Sequence, residues 1–186
     1  NVAAQIADYK LEVRQAMLLA ILKGVFNMST TGTSVAAKAA KEFLAKHVYD
    51  ITDQNGDDAL VGAATLNKAI QQACGDNKNI FKLVIMHSEV ATHLENMKLL
   101  KFMTQTDADG IERELALATW NGRLVLIDDD MPTEDVAKTE AHEAYTAYTT
   151  YILGEGSIIL DYIGDSVPYE MSRDPKTNGG QDTLYV

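Results

Sequence analysis

The sequence predicts an α+β protein, with helices in the first half and strands in the second. Three observations predict it. Apolar residues recur at steps of three and four through most of the first hundred positions. From Glu112 onward the runs become short and strand-like. Two of them are joined by Asn121-Gly122, a pair that readily adopts the positive φ angles of a tight hairpin.

The first element is expected to be a helix over Val2–Phe26, about 37 Å long at 1.5 Å per residue. Ile6, Tyr9, Val13, Ala16 or Met17, and Ala20 form its apolar stripe, while Gln5, Asp8, Glu12 and Gln15 mark another, polar face. The run AMLLAIL from Ala16 to Leu22 is apolar all round, so this half is expected to be buried on most sides. After the loop NMSTTGT, Thr33 or Ser34 can cap a second helix over Val35–His47. A turn-rich connector at 53–58 leads to a third helix carrying Leu66, Ala69, Ile70 and Ala73, with Gly75 as its stop. FKLVIM (Phe81–Met86) reads as a buried strand, and Ser88 as the cap of a fourth helix reaching about Leu100.

Glu112–Trp120 and Arg123–Asp128 form the Asn-Gly hairpin. Tyr145–Leu153 and Ser157–Tyr162 are expected to make a second hairpin around Gly154-Glu155-Gly156. Val167–Ser172 and Thr183–Val186 are the last expected strands, separated by the turn-rich DPKTNGG.

Composition narrows the classes of function. The 186 residues are 46% apolar, which fits a packed core. A formal net charge of -11 opposes phosphate backbones, so a duplex-binding basic face is not expected. By the same sign, copies of the chain are expected to repel one another until salt screens them. Cys74 is the only cysteine, so no internal disulfide can form. No apolar run is long enough to span a bilayer, and no signal peptide is recognisable. The chain opens inside a helical pattern and stops within a strand-like one, so a fragment of a longer protein is expected.

Each chemical template fails on specific residues. For a calcium-binding EF-hand loop, Gly56 would need Asp or Asn at Ile51 and Glu at Gly62; Gly110 fails at Gln105 and Ala116. Asp128-Asp129-Asp130 cannot converge on one ion from an extended chain, because successive side chains point to opposite faces, so a solvated turn is expected. His87, Glu89 and His93 lack the further ligands of a zinc site. His142-Glu143 has Thr146 where a zincin needs its second histidine. Gly154-x-Gly156 is followed by a strand-like run, which does not suit a dinucleotide loop. Cys74 reads as an ordinary thiol and Trp120 as a core or hairpin anchor. No catalytic, cofactor-binding or metal residue is therefore assigned, no cofactor is expected, and the chain is not expected to be an enzyme.

Several stretches resemble one family in order and spacing. They are LLAILKGVF (Leu18–Phe26), AATLNKAIQQACGDN (Ala63–Asn77), FKLVIMHSEVATHLENMKLL (Phe81–Leu100), TWNGRLVLIDDDMP (Thr119–Pro132), YTTYILGEGSI (Tyr148–Ile158) and VPYEMSRDPKTNGGQDTLY (Val167–Tyr185). Together the chain resembles the major capsid (coat) proteins of tailed bacteriophages and prophages, in the Gp-thirteen-like group of the Hong Kong 97-type fold.

The resemblance implies a long spine helix with a peripheral-type domain at 1–47, an axial-type domain at 48–144, and peripheral-type strands at 145–186 whose last strand returns towards the axial sheet. The family's N-terminal arm and extended loop have no counterpart among these 186 residues. The implied function is that of a structural, self-assembling subunit of an icosahedral head enclosing double-stranded DNA. The subunit would be found in the virion and, before assembly, in the bacterial cytoplasm. The implied partners are the chain itself, in pentamers and hexamers, together with scaffold and portal proteins; specific nucleic-acid binding and membrane association are not implied. An encapsulin-like compartment shell is the alternative on the same fold, and a small α+β enzyme with a dispersed site is the alternative outside it.

Overall fold

The computed structural model describes residues 2–54, 56–106, 112–138, 143–161 and 170–185. The chain is mixed α+β and divides into two compact units, Asn1–Glu155 and Gly156–Val186. The first unit opens with α1 (Val2–Phe26) and α2 (Val35–His47), both where the periodicity predicts them. Ser34 rather than Thr33 caps α2, its Oγ accepting the Ala37 N–H at 3.1 Å. α3 (Thr65–Cys74) ends at Gly75, whose φ of 64° is strained for any residue with a Cβ.

β1 (Phe81–Met86) follows, then α4 (Ser88–Asn96). Ser88 is the first residue of α4 rather than its cap; His87 holds that place, its Nδ1 accepting the Glu89 N–H. α4 also stops short of Leu100, because Lys98 adopts a positive φ and turns the chain into β2 (Leu100–Thr106). β2 has no counterpart among the expected elements.

β3 (Glu112–Trp120) and β4 (Arg123–Ile127) form the predicted hairpin. Asn121 and Gly122 both carry positive φ, 49° and 76°, as a primed turn requires. The single strand expected over Tyr145–Leu153 is instead two strands in two sheets. β6 (Tyr145–Tyr148) pairs with β5 (Thr133–Val136), and β7 (Tyr151–Gly154) pairs antiparallel with β1. The second predicted hairpin is thus corrected: β7 joins the main sheet, 157–161 is not a strand, and Tyr162 lies outside the described residues.

The main sheet runs β2-β3-β4-β1-β7, with β1 and β4 parallel. Its two faces bury separate clusters. Val84, Met86, Ala118, Trp120 and Val125 meet Leu66 and Ile70 of α3 and Val90, Ala91 and Leu94 of α4. On the opposite face Ile85, Tyr151 and Leu153 meet Leu19 and Leu22 of α1 and Met131. Aromatic contacts extend this second cluster, with Phe26 stacked on Tyr151 at 5.5 Å and 6.1 Å from Phe43.

The second unit holds one antiparallel pair, β8 (Glu170–Asp174) and β9 (Gln181–Tyr185), around a turn in which Asn178 and Gly179 have positive φ. Both strands sit where turn chemistry predicts strands, with shifted bounds; residues 167–169 and 186 lie outside the described residues.

Candidate functional site

Three features of the first unit are open to partners or chemistry. The first is the acidic corner after β4. Asp129 and Asp130 form the exposed turn predicted for this triplet, whereas Asp128 is buried. Its carboxylate accepts the Gln15 amide from α1 and the Asp130 N–H at 2.9 Å, while its own N–H donates to the Met86 carbonyl at 3.0 Å. Asp129 accepts the Ser88 N–H at the start of α4. Its carboxyl is held below the usual range, first by the Ser88 side-chain hydrogen bond and then by the Ser88 backbone. One short acidic turn therefore ties α1, the main sheet and α4 together. The signal in the sequence was the polar Gln15, which sits one helical turn before the buried Leu19.

The second feature is a cleft of about 630 Å³ between the 51–61 connector, α4 and β6. Val90 and Leu60 supply apolar walls, and Glu89, His93 and Tyr145 the polar groups. The Tyr145 hydroxyl donates to the Thr52 carbonyl at 3.3 Å, joining β6 to the connector. His93 and Glu89 do come together here, as their spacing on one helix dictates. His87 lies apart, its ring 4.9 Å from that of Tyr148. Among the described residues no group of three or more His, Cys, Asp or Glu is placed to hold a metal ion. Cys74 is half-buried at the end of α3, its thiol within hydrogen-bond reach of the Ile70 and Asn77 carbonyls. Gly110 and His142 lie outside the described residues.

The third feature is apolar surface. The helix α1 turns Gln15, Leu19 and Leu22 towards the body, with Leu19 and Leu22 only 5% and 8% exposed. The stripe that periodicity assigns to the core points the other way at Tyr9, Val13 and Met17, which are 66%, 38% and 58% exposed, and Ile21 within AMLLAIL is exposed as well. The expectation that AMLLAIL is buried on most sides is thereby corrected, because the sheet takes one side of the helix only.

A matching gap lies on the sheet. Leu124 and Leu126 share the face of Leu83 and Ile85, to which they are paired, and Leu117 lies two residues before Thr119, the partner of Leu124. The second cluster closes this face over β1 and β7, yet Leu117, Leu124 and Leu126 stay about 40% exposed. None of the described helices is long and apolar enough to cross a membrane. Compared with known proteins, the chain matches no family model, no curated protein and no solved structure.

Proposed function

We propose that the chain is a structural, self-assembling subunit of an icosahedral phage head that encloses double-stranded DNA, built on the Hong Kong 97-type plan. The observation that carries this reading is α1. Its 25 residues bury one side against the sheet and expose a second apolar side along Tyr9, Val13, Met17 and Ile21. Large side chains left in water over several turns cost solvation free energy that an isolated domain has no reason to bear, and a lattice of copies removes them from water. The order and spacing of the six family-like stretches supply the specific class of lattice. On this reading α1 is the spine helix, 48–144 the axial-type domain, and the partners are copies of the chain with scaffold and portal proteins. Its product is a shell, and its acidic balance suits a container that releases its DNA.

Electron microscopy of the product of the complete reading frame, expressed in bacteria, tests this. Closed shells or capsomer rings are the expected result. Uniform monomers under all assembly conditions, combined with turnover of a small molecule bound beside His93 and Glu89, would replace it with the enzyme reading.

A further inference from the structure

We propose that Asn178 is a self-modifying position, losing its side-chain amide to attack by the Gly179 nitrogen, while the fold protects the same dipeptide at Asn121-Gly122. Asn-Gly occurs three times, at Asn55-Gly56, Asn121-Gly122 and Asn178-Gly179. Asn55 lies outside the described residues. The other two pairs occupy turns of one kind. Both residues have positive φ in each, 49° and 76° in the first, 52° and 76° in the second. All four residues are exposed. Trp120 pairs with Arg123 across the first turn, and the Gly180 N–H donates to the Thr177 carbonyl at 2.9 Å across the second. Local geometry therefore does not separate the two; their surroundings do.

Glycine presents a main-chain nitrogen that no side chain shields. That nitrogen bonds to the Asn Cγ, and the side-chain nitrogen departs as ammonia, carrying the glycine proton. Water then opens the cyclic imide at either carbonyl, giving aspartate or isoaspartate. Nothing is oxidised or reduced, and water is the co-reactant. Ring closure needs the backbone rotated out of the left-handed turn conformation, so the reaction proceeds from opened molecules and its rate follows the free energy of local opening.

That free energy differs between the two hosts. Asn121-Gly122 joins two strands of a five-stranded sheet. Trp120 beside it is 2% exposed in the first core cluster. The Arg123 guanidinium donates to the Asn121 carbonyl at 3.0 Å and to the Lys78 carbonyl at 3.1 Å, pinning the turn to the body. Asn178-Gly179 joins β8 and β9, which among the described residues pair only with each other. Neither strand has a buried residue. The contacts of its loop are local, with the Asp174 carboxylate accepting the Lys176 N–H and the Thr177 hydroxyl. A two-stranded hairpin of this kind is marginal in water, so its turn opens easily. Either product adds a negative charge to a loop that already holds Asp174. Isoaspartate also routes the main chain through the side-chain carbon, lengthening a turn whose length sets the β8–β9 register. Conversion of Asn178 thus unpairs the hairpin, slowly and in one direction.

Incubation of the folded chain at mildly alkaline pH, followed by peptide mass spectrometry, tests this. Asn178 should convert at least about tenfold faster than Asn121, because local opening spans the range from frayed segments to the global core. In concentrated urea, which removes both hosts, the two should convert at similar rates. Asn121 keeping pace with Asn178 in the folded chain overturns the proposal. So does a folded Asn178 that stays intact over the time in which it converts in urea. A gap of the same size in urea does so too, since it would place the difference in the neighbouring residues rather than in the fold. The isoaspartyl form, separated by ion exchange, should lose the cross-strand nuclear Overhauser contacts between β8 and β9 and keep those of the main sheet. Persistence of the β8–β9 contacts would overturn the unpairing.

Discussion

Asp129 shows how a residue that looks like a metal ligand becomes part of the scaffold. Three consecutive carboxylates suggest a cation, but those of Asp128 and Asp129 find different neighbours, Gln15 of α1 and Ser88 of α4. Asp129 lies at the amino end of α4, where unpaired N–H groups favour a negative charge. The hydrogen bonds from Ser88 lower its carboxyl pKa in the folded state. A depressed carboxylate pKa adds stability that is fully present above the unfolded value, about 3.9, and lost as pH falls through the folded one. Thermal melts of the parent and of Asp129→Asn, taken between pH 7 and pH 2, should therefore differ most at neutral pH and converge in acid. The group is well exposed, so the gap should be small and should shrink further in salt. A gap that widens in acid would show that the Ser88 contact does not favour the charged form.

At the scale of elements, helix spans were legible in the sequence and helix orientation was not. α1 and α2 fall where the periodicity puts them, since turn residues and apolar spacing are local properties. The side of α1 that meets the sheet depends on residues far away. Gln15 reads as polar surface until Asp128, 113 positions later, accepts its amide. Lys98 ends α4 with a positive φ that nothing in a lysine announces, so the chain enters β2 at Leu100, where the helix was expected to reach. Likewise Thr149-Thr150 gives no sign that β6 and β7 belong to different sheets. In the candidate site, the approach of His93 to Glu89 was legible from their spacing; the connector and β6 that complete the cleft were not. The orientation of α1 has a direct check. Leu22→Ala should cost about 2–5 kcal/mol, as for other leucines truncated in a packed core. Ile21→Ala, its neighbour on the outward side, should change stability by no more than about 0.5 kcal/mol in the isolated chain. Urea unfolding of the two variants measures this, and a reversed order would mean that α1 packs through its other stripe.

The whole molecule sets a net charge of -11 against an uneven distribution of that charge, and the two act over different distances. Repulsion between copies is a long-range effect of the total. It reaches across the gap between two approaching molecules only where the Debye length is large, about 30 Å at 0.01 M salt. Attraction between opposite charges that meet acts at contact, where pairs about 4 Å apart still feel each other with a Debye length of about 10 Å at 0.1 M. At 1 M, with a length of about 3 Å, the pairs are screened as well, and apolar surface alone is left to hold the contact. Association should therefore not simply grow with salt, as the total charge alone suggests. The weight-average mass from sedimentation should rise between 0.01 and 0.1 M as the repulsion is screened, then fall towards 1 M as the contact pairs are lost. A mass that climbs steadily to 1 M would leave the total charge in control and give contact pairs no weight. A mass that falls from the lowest salt onward would show the segregated charges steering encounter at long range, with the acidic total of little consequence.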